Sequence, residues 1–222
     1  MFRHIAAGVS FALLLSASPA ISEDAGLVAD ATALDVAATE AVVTEPASLL
    51  TPEFMDSLRN VIASRVTTIS LNAQNKRYAG LSQSDIDALD TQWRAETKSD
   101  SQPLIAQLMG NPLSSFLIRK KAESLGLYTE IFVFDAKGLN VGQSSVTSDY
   151  WQGDEAKYQK TFAVGRDAVL IDEPEFNDET KSMRQQVSFP IIDPETNEMV
   201  GAATVEINID ELARRGHIAH SS

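Results

Sequence analysis

The hydrophobic period of this chain changes once, at Gly126, and that change divides the fold into a helical part and a strand part. Upstream, apolar residues recur three and four apart, the spacing of one helix face. "TPEF" opens the pattern with Thr51 at an N-cap, Pro52 in the first turn and Glu53 beside the positive helix end. Phe54, Leu58, Val61, Ile62, Val66 and Ile69 follow. They predict one helix from Pro52 to about Arg77, ending near Gly80. A second helix starts at Ser82 or Ser84 and carries Ile86, Leu89 and Trp93. Its early Asp85 and Asp87 and late Arg94 suit the helix dipole. After the "SDSQP" loop, "PLIAQLMGNPLSSFLIRKKAESLG" reads as a helix broken near Gly110–Pro112, with Gly126 as its stop. Downstream the pattern is that of strands. "YTEIFVFDAKGLNVGQS" gives a strand over Glu130 to Phe134, a turn over Asp135 to Gly138, and a strand over Leu139 to Gln143. A strand follows around Val169 to Asp172. Then "RQQVSFPIIDPETNEMVGAATVEINI" makes two strands joined by a polar turn.

Helices first and strands after predict an α+β domain, with an antiparallel sheet packed by N-terminal helices. Its 222 residues suit one modest domain with extensions, and 44% hydrophobic content can build a core. A net charge of −13 argues against nucleic acid and anionic membrane surfaces as partners, since both need a basic face. With no cysteine there is no disulfide, thiolate nucleophile or cysteine metal site. The start, "MFRHIAAGVSFALLLSASPAIS", has basic Arg3 and His4, an apolar run from Ile5 to Leu15 and small residues leading to a cut after Ser22. That is the layout of a secretory signal peptide, and its apolar run is short for a membrane span. The expected destination is the periplasm or the exterior, with no membrane insertion after cleavage. Residues 1–22 are thus read as signal peptide, 23–50 as a flexible tether, 51–126 as the helical region, 127–212 as the sheet core and 213–222 as a tail.

The run "IFVFDAKGLNVGQS … DYWQGDEAKYQKTF … QQVSFPIIDPETNEMVGAATVEINIDEL" resembles a Cache domain, the extracellular PAS-like sensor module. The carriers of the resemblance are the hairpin with its Asp-x-x-Gly turn, the aromatic segment before the third strand and the closing hairpin. The resemblance covers roughly Thr51 to Leu212, most closely from Leu127 onward. It implies a PAS-like antiparallel sheet of about five strands with long N-terminal helices.

Chemistry is sparse. Downstream of the signal region the histidines are His217 and His220, in a polar tail. There is no nucleophile elbow, phosphate loop or zinc-binding helix pair. No catalytic, metal or cofactor set is expected, so the chain is read as a non-enzyme. Asp172, Glu173, Glu175, Asp178 and Glu179 lie close together without the spacing of an EF-hand, and read as a solvated loop. The stretch "SDYWQGDEAKYQKTF" admits two arrangements. In one it is a short capped helix whose Tyr158 and Phe162, four apart, turn inward together. In the other its rings wall a pocket, and adjacent Tyr150 and Trp151 suit a half-apolar, half-wet mouth.

The resemblance implies the second arrangement, because that segment walls the ligand pocket in Cache domains. It assigns Tyr150 and Trp151 to the family's aromatic pair. Asp149 and Asp154 become acceptors for an ammonium group, and Lys157 a partner for a carboxylate. Gln185 and Gln186 offer one inward polar side chain, since strand neighbours alternate faces. The family's amino-acid-binding pattern has an arginine just before the aromatic pair, where this chain has Asp149. An acid beside two rings suits a cationic amine. The expected function is an exported small-molecule sensor, for an amine, amino acid or carboxylate, that hands its state to a membrane receptor or kinase. The long N-terminal helix is the expected homodimer or partner surface. An adaptor with the same fold and no ligand is the alternative reading, and an enzyme is third.

Overall fold

The structure is a computed structural model that describes residues 49–220. The expected signal peptide and all but the last two tether residues lie outside the described residues. Among those described, α1 (Pro52–Ile62), α2 (Arg65–Tyr78), α3 (Gln83–Glu96), α4 (Pro103–Met109) and α5 (Pro112–Glu123) precede the sheet. The strands are β1 (Tyr128–Asp135), β2 (Asn140–Gln143), β3 (Leu170–Ile171), β4 (Glu175–Asn177), β5 (Ser182–Ile192) and β6 (Met199–Asn208). The short α6 (Ala156–Gln159) lies between β2 and β3, and α7 (Ile209–His220) follows β6. No helix among the described residues is long and apolar enough to cross a membrane.

The sheet is antiparallel, in the order β2-β1-β6-β5-β3, and β4 pairs with β5 beside β3. This is the α+β architecture expected from the sequence, with six strands rather than about five. The extra strand comes from the acidic segment read as a loop: Glu175–Asn177 pairs with Ser182–Arg184. Its turn is closed by Asn177 Oδ1, which accepts from the Thr180 N–H and hydroxyl at 2.9 Å. Residues 213–220 of the expected tail are helical. Asn208 Oδ1 accepts from the Glu211 N–H at 3.0 Å, and Arg215 Nη2 donates to the Ser124 carbonyl at 2.6 Å.

The single long helix expected from Pro52 to Arg77 is two helices. Ser64 is extended (φ −107°, ψ 155°), and its hydroxyl meets Thr67 Oγ1 at 2.8 Å while also accepting the Thr67 N–H. A serine that can cap, followed by the β-branched run Val66-Thr67-Thr68-Ile69, favours a restart over continuation. The other boundaries match their sequence cues. Ser82 and Asp85 form a reciprocal capping box at the start of α3, and Asn111 caps α5 just before Pro112.

One face of the sheet meets the helices. Ile131 and Val133 of β1, Val187, Phe189 and Ile191 of β5, and Ala203, Val205 and Ile207 of β6 pack with Leu58, Ile62, Leu71, Leu113 and Leu117. Alternation sends the intervening residues to the opposite face. Besides Leu71, helix α2 meets the sheet through three side-chain amides in its C-terminal half. Gln74 Nε2 donates to Asp135 Oδ2 at 2.9 Å, Asn75 Nδ2 to the Val200 carbonyl at 2.7 Å, and Asn72 Nδ2 to Asp193 Oδ2 at 2.6 Å. These bonds hold both hairpin turns against one helix. A second, smaller core joins Ile86 and Trp93 of α3 to Leu104, Ile105 and Leu108 of α4, with Leu139 and Tyr150.

Candidate functional site

The face of the sheet turned away from the core helices has an apolar half and a charged half. The apolar half is Phe132, Phe134 and Ala202, covered by Tyr158 and Phe162 from the α6 segment. Tyr158 stacks on Phe162 with centroids 5.6 Å apart and leans on Phe134 at 6.1 Å. Its hydroxyl donates to the Ala136 carbonyl at 2.9 Å. The inward pairing of Tyr158 and Phe162, expected from their helical spacing, is therefore observed. Ser188 and Thr204, hydrogen-bonded at 2.9 Å across β5 and β6, mark the transition to the charged half.

The charged half lies at a cleft of about 360 Å³ lined by Glu155, Ala156, Lys157, Asp172, Glu173, Glu175, Arg184, Gln186 and Glu206. Strands β5 and β6 supply the floor, α6 one wall and the β3–β4 segment the other. Arg184 Nη1 donates to Glu206 Oε1 at 2.8 Å, and Thr129 Oγ1 donates to the same oxygen at 2.5 Å. Lys157 Nζ pairs with Glu155 Oε2 at 2.6 Å and stands 5.4 Å from the centre of the Phe132 ring. Both cations of the cleft are thus already paired. Asp172, Glu173 and Glu175 take part in no ion pair among the described residues, so the walls carry excess negative charge.

Beside this floor, Glu130 of β1 stands directly across from Glu206 of β6. Burial first, and Glu206 second, push its carboxyl up to about 7. Among the described residues, no group of three or more His, Cys, Asp or Glu is arranged to hold a metal ion.

The structure separates the residues singled out from the sequence. Lys157 and Gln186 line the cleft. Gln185, one residue along, leaves on the other strand face, and its Nε2 donates to the Asp172 carbonyl at 2.7 Å. Asp149, Tyr150 and Trp151 do not line the cleft; they fasten the segment to α3. Tyr150 is 2% exposed and stacks on Trp93 at 5.4 Å. Asp90 Oδ1 accepts from the N–H groups of Tyr150 and Trp151 at 2.9 and 3.0 Å. Asp149 pairs with Arg94 at 2.8 Å. The indole of Trp151 donates to the Lys137 carbonyl at 2.8 Å. Trp151 also covers the β1–β2 turn, where Gly138 (φ +85°) has room for no Cβ because Gly153 N would lie 2.7 Å away. Asp154 is exposed, and its carbonyl accepts from Gln159 Nε2 at 3.1 Å. The adjacent rings are accommodated by giving each its own neighbour: Tyr150 goes to the α3–α4 core and Trp151 to the hairpin turn.

Sequence reasoning passed over Glu130, Arg184 and Glu206. A signal was present for Glu130 and Glu206, because each is a charge in a largely apolar strand, where an unpaired ion is costly; Arg184, beside Gln185 and Gln186, gave none.

No protein-family profile matches this chain, and no curated protein matches it. Solved structures similar to it include the ligand-binding domain of the Pseudomonas aeruginosa PAO1 amino acid chemoreceptor PctC in complex with GABA. That similarity has 16% identity and a TM-score of 0.32, and covers 72% of this chain and 62% of the other. The E. coli DcuS sensor domain is similar at 18% identity and a TM-score of 0.35, over 59% of this chain and 96% of that domain. The sensor domain of the V. cholerae histidine kinase DctB is similar at 12% identity and a TM-score of 0.29, over 73% and 57%. All three are sensor or ligand-binding domains, the class that the sequence resembles. This chain spans under two thirds of the chemoreceptor and DctB domains.

Proposed function

We propose that this protein is an exported sensor module that binds a small cationic amine in the cleft between the β5–β6 floor, α6 and the β3–β4 segment. One observation carries the reading: five carboxylates line the cleft against two cations, and both cations are already engaged by Glu155 and Glu206. A cation entering there gains attraction without breaking an existing pair, whereas an anion meets net repulsion. The site therefore retains Lys157 and Gln186 from the sequence reading, and the preference for an amine rests on new residues.

Ligand state would pass to a membrane receptor or kinase by selective binding to one arrangement of the α6 and β3–β4 walls. The outward side of α2, with Ile69, Lys76 and Arg77 exposed, is the surface we assign to a second copy or such a receptor. The test is a thermal-shift screen of the protein against amines, amino acids and short carboxylates. A ligand at a hundredfold excess over its Kd adds about 2.7 kcal/mol, a visible shift. Stabilisation by amines that Glu173→Gln and Glu175→Gln weaken is the expected result. Stabilisation by carboxylates alone overturns the assignment of ligand class.

A further inference from the structure

Strands β1 and β6 bring Glu130 and Glu206 to directly opposite positions of an antiparallel pair, where side chains on one face stand within contact range. Like charges so placed repel unless a cation or a proton intervenes. The cation available, Arg184 of β5, is committed to Glu206 Oε1, as is the hydroxyl of Thr129. Glu130 is left without an ion pair of its own among the described residues. Its other charged neighbours are Lys157 of α6, held by Glu155, and Lys121 of α5, whose Nζ reaches Ser145 Oγ at 3.4 Å. Both act on it only from a distance.

Resting on the cation reading of the cleft, we propose that the Glu130–Glu206 pair makes ligand binding proton-linked: Glu130 releases a proton as a cation enters, so the cleft binds cations more tightly as the medium becomes more alkaline. The sign follows from charge. A protonated Glu130 is neutral and adds nothing to the attraction, while an ionised one adds a negative charge beside the floor. In the free protein, burial and Glu206 keep the proton on Glu130 to about pH 7. An arriving ammonium group opposes both effects and displaces it. The balance is one proton lost from the carboxyl to solvent for one cation bound.

Two measurements on the protein test this. The first is a carboxyl ¹³C NMR titration without ligand. Glu130 is expected to titrate near pH 7, and Glu206→Gln to lower that midpoint. A midpoint in the ordinary glutamate range near 4.3 overturns the proposal, and so does one unmoved by Glu206→Gln. The second is calorimetric binding of putrescine, a linear diamine, from pH 5.5 to 8. Affinity should rise by up to about tenfold for each step of one in pH and level off above 7, and Glu130→Gln should flatten the profile. An unchanged slope in Glu130→Gln overturns the proposal. A protein that binds no putrescine at any pH overturns the cation reading beneath it. The NMR midpoint then tells that failure apart from a failure of the proton site.

Discussion

Tyr150 lies against Trp93 with ring centroids 5.4 Å apart and planes 22° from parallel, and this contact closes a small core between α3, α4 and the chain that follows β2. The ring holds two segments together, and it also borders a small recess with Tyr78, Leu104 and Leu108. Burial and the stack set its energetic weight, and they lead to the first expectation.

Tyr150→Ala should cost about 3–5 kcal/mol of folding stability, the range for deleting a buried aromatic side chain. Urea denaturation measures it. The cleft lies elsewhere, so amine affinity in the fraction that remains folded should be unchanged. A large loss of affinity at near-native stability would return Tyr150 to the ligand site.

Asp90 Oδ1 receives two backbone N–H groups, from Tyr150 and Trp151, while Oδ2 receives Arg94 Nε at 2.7 Å. Asp90→Asn keeps one acceptor, and turns a donor on Arg94 or on the backbone. Loss of charge-assisted bonds at a nearly buried site should cost about 1–3 kcal/mol. The destabilised variant should exchange the Tyr150 and Trp151 amides faster, read by hydrogen exchange. Wild-type protection at those two amides would show that the carboxylate is not what holds them.

Gly201 sits on β6 where a Cβ would meet the Phe134 carbonyl oxygen and Leu71 Cδ2. The first is backbone of the adjacent strand and cannot swing aside. Gly201→Ala should therefore cost at least about 1–3 kcal/mol, as overpacking does, and lower the Tm accordingly. A neutral effect would mean that β1 and β6 can part locally at that register.

The raised Glu130 also predicts the pH dependence of stability. Its folded carboxyl holds a proton up to about 7, while the unfolded one releases it near 4.5. The stabilisation is fully present below about pH 4.5 and is lost as pH rises through 7. Across that window wild type should lose about 2–3 kcal/mol relative to Glu130→Gln, because holding a proton the unfolded chain has released is worth roughly 1.4 kcal/mol for each tenfold fall in proton concentration. Glu211, held down to about 2 by Arg214 and then Arg215, stays ionised throughout and does not contribute. Paired denaturation curves at pH 5 and pH 8 make the comparison. Parallel profiles for the two proteins would place the raised group elsewhere.

Local chemistry determined what the sequence alone made legible. Caps such as Thr51 and Ser82 act within three or four residues, so these helix starts could be read from them. The period change at Gly126 and the alternation in "VSFPII" and "ATVEINI" set the order of elements and the buried faces of β5 and β6, because side-chain direction follows the backbone period. The spacing of Tyr158 and Phe162 likewise foretold their shared face. The break at Ser64 was also local, but a competing apolar period masked it. Tertiary structure decided what lies more than a turn away. Whether Tyr150 met a ligand or Trp93 depended on a partner on another helix, far back along the chain. The meeting of Glu130 with Glu206 depended on the β1–β6 register, which only the closed sheet defines. Charges inside apolar strands announced that a cost had to be offset. Pairing distances between strands far apart in sequence determined which group offsets it.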